Sequence, residues 1–155
     1  MVLLSMRCLS LQQPWAYCIT NGTKRVENRT WYTAYRGPIL IHAGKRYQTD
    51  MEYAIHADSP EVDVVGMMRS PRGAIVGVAQ LVDCVRADEV APEQRIWAGG
   101  PWCFVLGSVR AFEEPIPYKG ALGFFDVPRE IVMDALRGAE EPGVSGAAFA
   151  ERAPC

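Results

Sequence analysis

Gly22, Lys24, Glu27 and Arg29 fall within eight consecutive residues, inside NGTKRVENRTW (21–31). An ammonium, a carboxylate and a guanidinium at that spacing suit a nucleotide, which offers a phosphate, a flat base and hydrogen-bonding edges. Lys24 and Arg29 could neutralise phosphate or hold a polar base edge. Glu27 could accept from an exocyclic amino group or serve as a general acid or base. Gly22 would let backbone approach a ligand closely. Trp31, Trp97, Tyr32 or Tyr35 could supply a stacking face, worth ~1–3 kcal/mol per base, and Gly99–Gly100 could act as a hinge. If the chain is an enzyme, Lys24 and Glu27 are its catalytic candidates. Lys24 would be a base once burial or a neighbouring cation lowered its pKa, and Glu27 could activate water. A plainer reading stands beside this one: Glu27 and Arg29, two apart on one strand face, only pair with each other, for about 0–1 kcal/mol.

The elements that must position these residues follow from local pattern. Residues 7–12 read as a strand. Pro14 suits a helix start, and Trp15, Cys18 and Ile19 make one apolar stripe, with Trp15 assigned to the core. Gly22, after Asn21, reads as a left-handed helix stop. A strand from Lys24 to Trp31 would put Arg25, Glu27, Arg29 and Trp31 on one face and Lys24, Val26, Asn28 and Thr30 on the other. Lys24 sits at the helix–strand junction, so its direction is open. Residues 37–45 form a second strand, with Ile39 and Ile41 opposite Leu40 and His42. His42 reads as a satisfied structural histidine and His56 as a surface residue. Thr49 and Glu52 match a capping box ahead of a helix. Residues 59–73 read as a loop with a helical turn. Residues 73–85 read as a strand buried on both sides, bent at Gly77. A polar connection (86–102), a long strand kinked near Gly107 (102–120), a closing strand (122–128) and a helix (128–137) complete the pattern. Few helices and glycine-bent strands predict a β-rich α+β fold, a small β-barrel with helices packed outside. Residues 1–138 are expected to form one domain and 139–155 a flexible tail.

Hydrophobic residues make up 49% of the chain and charged residues 22%, the balance of a globular protein. The opening MVLLSMRCLSL is far shorter than a membrane span, is interrupted by Arg7, and lacks a signal-type cleavage site. It reads as a strand of a cytoplasmic protein without a membrane partner. Five cysteines without a CxxC pair, and two histidines, make a zinc site unexpected. Cys8, Cys18, Cys84 and Cys103, each in an apolar run, read as buried free thiols. Asp83, Glu113 and Glu114 are the carboxylates available to a metal-dependent reaction. Charge is uneven: residues 1–49 carry +6 and the remainder −8. That asymmetry points to a basic face on an acidic surface. Within it, Arg25, Arg36, Lys45 and Arg46 read as solvated charge.

The stretch CLSLQQPWAYCITNGTKRVENRTWYTAYRGPILIHAGK resembles the opening of an ASCH domain, the activating-signal-cointegrator homology family. Gly22, Lys24, Glu27 and Arg29 meet its G-x-K-x-x-E-x-R motif, with the QPWA helix ahead of it. SPRGAIVGVAQLVDC, GPWCFVLGSVRAFEEPIPYKG and FFDVP resemble its later strands, so the likeness runs over about residues 7–128. The resemblance implies a PUA-like open β-barrel with a cleft between barrel and helices, and an association with nucleic acid. Some bacterial members are hydrolases, acting on N4-acetylcytidine or on RNA. In the deacetylating members a threonine follows the motif lysine by three; here that position is Glu27, which weakens the carry-over of their mechanism. The expectation is a nucleic-acid-binding domain holding RNA or a single nucleotide beside the motif, with DNA a further candidate and no cofactor. The alternatives are a small hydrolase of RNA or a modified nucleoside, and a protein-interaction module.

Overall fold

The computed structural model describes residues 4–138; the tail expected at 139–155 lies outside the described residues. Strand β1 (Ser5–Gln13) is followed by helix α1 (Trp15–Thr20) and the short strand β2 (Val26–Arg29). Strand β3 (Gly37–Tyr47), helices α2 (Glu52–Asp58) and α3 (Val64–Met68) and strand β4 (Ala74–Val85) come next. Two 3-10 turns, Ala87–Glu89 and Pro92–Trp97, lead to β5 (Trp102–Pro117), β6 (Phe124–Pro128) and α4 (Arg129–Gly138).

The six strands form one sheet in the order β2-β5-β4-β3-β1-β6. β1 and β3 run parallel, with Leu9 opposite Ile41 and Ser10 opposite His42; the other neighbours are antiparallel. The sheet is therefore not the closed barrel that the strand pattern suggested. Its edges are β2 and β6, and side chains fill the space between them. Trp31 lies edge-on to Phe104 at 5.1 Å and to Phe124 at 5.3 Å. Aromatic packing of this kind holds two edges together without a ladder of backbone hydrogen bonds.

Alternation along the strands sends side chains into two apolar layers. Leu9, Leu11, Ile39, Ile41, Ala79, Leu81 and Phe104 fill the inner layer with Ala16 and Ile19 of α1. Met6, Cys8, Leu40, Val78 and Val127 fill the outer one with Val132 of α4. A third cluster joins Cys18 and Val26 to Val62, Met67, Trp97 and Cys103. It anchors both ends of the segment carrying Lys24. Gly77 is needed where β4 meets β5: a Cβ there would lie 2.6 Å from the Arg110 carbonyl oxygen.

Two local expectations change. α2 forms, but Met51 occupies its cap position without a side-chain cap. Glu52 instead accepts from the Tyr47 hydroxyl at 2.5 Å, because the end of β3 brings that phenol within reach of the carboxylate. Gly22 is not in the left-handed region. Its requirement is space: a Cβ would stand 2.6 Å from Val62 Cγ2 and 2.7 Å from the Cys18 carbonyl oxygen. Among the described residues no helix is long and apolar enough to cross a membrane.

Candidate functional site

Lys24 lies between the end of α1 and the start of β2, and only 2% of it is exposed. Its backbone N–H donates to the Cys18 carbonyl at 3.2 Å. Its Nζ donates to the Val26 carbonyl oxygen and stands 3.6 Å from Glu27 Oε1. The other carboxylate oxygen of Glu27 is 3.1 Å from Arg29 Nη2, which donates to the Ser10 carbonyl of β1 at 2.7 Å. The three ionic groups thus form one relay, cation–anion–cation, across the sheet. Glu27 does pair with Arg29, as the plainer reading held, but within a nearly buried triad rather than on a solvated face. Burial pushes the Lys24 ammonium down from its ordinary pKa, and the Glu27 carboxylate acts in the opposite direction. Arg29 Nε is buried without a hydrogen-bond partner among the described residues.

The triad lines a cleft of about 430 Å³. Ser10 and Gln12 of β1 form one wall, Trp15 of α1 another, and Ile96 and Trp97 of the second 3-10 turn close the far side, with Asn28 beside them. Glu27 is the one carboxylate among these lining residues, against Lys24 and Arg29. The cleft therefore favours an anion at the Arg29 end while offering an acceptor beside it.

Arg25 and Asn28 fix the shape. Arg25 Nη1 donates to the carbonyls of Ile19 and Gly22 at 3.0 Å and of Lys24 at 2.8 Å. It satisfies acceptors left open where α1 ends. Its backbone N–H is held by Gln94 Oε1 at 2.7 Å, and Gln94 Nε2 donates to the Thr23 carbonyl. Burial lowers the Arg25 pKa. This is a structural latch, not the solvated charge expected of it. Asn28 donates to the Trp97 carbonyl at 2.9 Å and accepts from the Gly99 N–H at 3.0 Å. The residues expected to hinge are thereby tied to β2.

Of the predicted site residues, Lys24, Glu27, Arg29 and Trp97 converge on the cleft; Gly22 and Trp31 do not line it. Trp31 is partly buried and packs against the inner core, because β2 ends at Arg29 and the chain turns inward beyond it. Trp15, assigned to the core, packs against the third cluster and also lines the cleft. It is only partly buried and its ring lies 6.0 Å from Lys24 Nζ. Tyr35 packs against Phe124 and under the Arg7 guanidinium. Tyr32 is exposed and edge-on to Trp102. His42 is buried and satisfied at both ring nitrogens, by Ser10 Oγ at 2.8 Å and the Tyr118 carbonyl at 2.7 Å. The latter fixes a proton on Nε2, since a carbonyl oxygen only accepts. The described cysteines are buried and free; burial pushes the thiols of Cys8 and Cys18 up to about 12 and about 11. Among the described residues no group of three or more His, Cys, Asp or Glu is placed to hold a metal ion.

An open, β-rich sheet with helices at its margins and a charged cleft at the β2 end defines a PUA-like α+β module. The chain belongs to the ASCH domain family, whose model matches residues 9–115. It is 29% identical to activating signal cointegrator 1 of Homo sapiens and 30% identical to that of Mus musculus, in each case over 138 residues. These matches cover 84% of the chain but 24% of each relative, so the chain spans about a quarter of the curated relatives' length. An ASCH protein of Zymomonas mobilis has the same fold at 15% identity, with a TM-score of 0.50 over 88% of this chain and 96% of that one. A single-residue variant of it gives 0.51 over 86% and 96%.

Proposed function

We propose that this chain, over residues 1–138, is a nucleic-acid-binding ASCH domain that holds one nucleotide of an RNA strand in the cleft beside Lys24, Glu27 and Arg29. The observation that carries this reading is the convergence of the three ionic side chains, from an eight-residue stretch, on one solvent-reachable hollow with indoles on two of its sides. Arg29 would meet the phosphate. Glu27, whose carboxylate retains free lone pairs, would accept from a base amino group. Trp15 and Trp97 offer π-faces to the base. The unsatisfied Arg29 Nε gives this guanidinium a reason to re-seat when an acceptor enters. Family membership and the likeness to activating signal cointegrator 1 support a role in nucleic-acid or protein interaction.

The test is titration with nucleoside monophosphates and short single-stranded RNA, read by quenching of tryptophan emission. Binding that weakens with salt and is lost in Lys24→Ala with Arg29→Ala supports the reading. Binding unchanged by that pair of substitutions would overturn it.

A hydrolase reading has one observation in its favour: the buried Lys24, its pKa driven down, beside Glu27. Such a pair suits proton transfer better than a solvated ammonium would. Incubation with N4-acetylcytidine and with labelled RNA decides it; turnover lost in Lys24→Ala supports an enzyme, and inertness on both supports a binding module.

A further inference from the structure

A second hollow opens from the first. It encloses about 850 Å³ and shares Ser10, Gln12 and Arg29 with the cleft. Its other charged lining residues are Lys45 and Arg46, at the end of β3, and Lys119, in the β5–β6 connection; no Asp or Glu lines it. All three of these cations are exposed, and among the described residues none of them takes part in an ion pair.

The backbone under these cations is fixed. His42 Nε2 donates to the Tyr118 carbonyl at 2.7 Å, the Tyr118 N–H donates to the Gly73 carbonyl at 3.1 Å, and the Gly73 N–H donates to the Ala43 carbonyl at 2.7 Å. Gly120 lies directly on the Ser10–His42 pair: a Cβ there would stand 2.7 Å from His42 Cε1 and 3.1 Å from Ser10 Oγ. Only glycine lets the connection lie this close and carry Lys119 to the rim of the groove. Leu122, 99% exposed, adds an apolar surface at the same rim.

We infer that this groove carries the sugar–phosphate backbone of a single-stranded RNA away from the nucleotide seated in the cleft. The strand would pass Arg29 at the junction, with Lys45, Arg46 and Lys119 meeting successive phosphates. This rests on the nucleotide reading of the cleft. A base can enter a closed-sided cleft only after leaving its stack, which selects single strands over duplex. A groove with cations and no carboxylate then gives the continuing strand an electrostatic track.

The experiment compares a nucleoside monophosphate, single-stranded RNA of about four to eight nucleotides and the same sequence as duplex. Three proteins are used: the unaltered chain, a groove variant (Lys45→Ala, Arg46→Ala, Lys119→Ala) and a cleft variant (Lys24→Ala, Trp97→Ala). Affinity should rise at least tenfold from monophosphate to oligomer. The groove variant should lose about 10- to 100-fold on the oligomer while leaving the monophosphate within about twofold. Its slope of log K against log salt should flatten by roughly 2, three contacts at about 0.7 each. A control pair, Arg69→Ala with Arg137→Ala, should leave oligomer affinity within about twofold. Length-independent binding, unchanged oligomer affinity in the groove variant, an equal loss in the control pair, or duplex bound as tightly as single strand would each overturn the inference. Oligomer affinity lost in the groove variant but retained in the cleft variant would sink the nucleotide reading and leave the basic track standing. Oligomer binding intact in the groove variant but lost in the cleft variant would do the reverse.

Discussion

Lys24 Nζ stands 3.6 Å from Glu27 Oε1, although the two lie three positions apart and a regular strand would send them to opposite faces. The contact exists because β2 begins only at Val26. Lys24 belongs to the turn leaving α1, and its side chain folds back under the strand. The site is therefore built on the helix–strand junction, and its behaviour should follow from the burial that the junction imposes.

The first prediction concerns pH. Burial lowers the Lys24 pKa in the folded state, while the unfolded chain keeps a value near 10.4. Between the two, the unfolded state binds more protons, so stability rises with pH through that window. Below the folded value the full penalty of burying the cation is present. Lys24→Met removes this dependence. Chemical unfolding at several pH values between about 7 and 10 should show the stability of the unaltered protein gaining on Lys24→Met as pH rises. A constant difference across the range would contradict the lowered pKa.

Glu27 separates two cations. Glu27→Ala leaves Lys24, 3% exposed in its side chain, and Arg29 with no anion between them. Removing one partner of a buried pair costs about 3–5 kcal/mol; because Arg29 keeps the Ser10 carbonyl and is 19% exposed, we expect about 3 kcal/mol. Glu27→Gln keeps the shape and an acceptor and should lose less. Urea midpoints for the two variants test the ordering, and Glu27→Gln proving the worse would refute it.

Trp31 and Trp97 should differ in binding, because only Trp97 borders the cleft. Trp31 packs between Phe104 and Phe124 against the inner core, so Trp31→Ala should cost about 3–5 kcal/mol in stability. Trp97 lines the cleft but is also packed, at 8% exposure, in the third apolar cluster, so Trp97→Ala should cost about 3–5 kcal/mol in stability as well and weaken nucleotide binding by about 1–3 kcal/mol, or roughly 5- to 150-fold. Trp97→Phe, which retains a π-face, should recover most of that affinity. Thermal melts and titrations of all three variants check the division.

Gly22 is a test of space rather than of backbone freedom. Gly22→Ala would push a methyl to 2.6 Å from Val62 and 2.7 Å from a backbone oxygen of α1. A backbone atom cannot move aside as a flexible side chain can, so the cost should be about 1–3 kcal/mol. Val62→Ala in the same chain should relieve only part of it. A neutral Gly22→Ala in equilibrium unfolding would show that the junction has more room than its packing implies.

Much of the fold was legible because local periodicity is strong where a strand is buried on both sides. Residues 73–85 could only be a buried strand, and β4 fills Ala74–Val85. The alternation of Ile39 and Ile41 against Leu40 separated the two apolar layers before any contact was known. Closure of the sheet was not legible, since whether two edges pair or are bridged by aromatic side chains depends on strand twist and on residues far apart in sequence. For the same reason Trp15 and Trp31 were not told apart: both are large, apolar and partly buried, and only the third dimension says which one borders the cleft.

Sequence alone determined the chemistry available: an ammonium, a carboxylate and a guanidinium within a few residues, behind a short helix and a glycine, in a chain otherwise patterned for strands. Tertiary structure decided that these charges meet. A helix ending at Thr20, the Arg25 latch and a strand starting at Val26 turn Lys24 under β2, and β1 supplies the carbonyl that holds Arg29. Which cations share a hollow, and how far each is stripped of water, is set by packing between segments distant in the chain, and that is what fixes proton affinity and binding strength at the site.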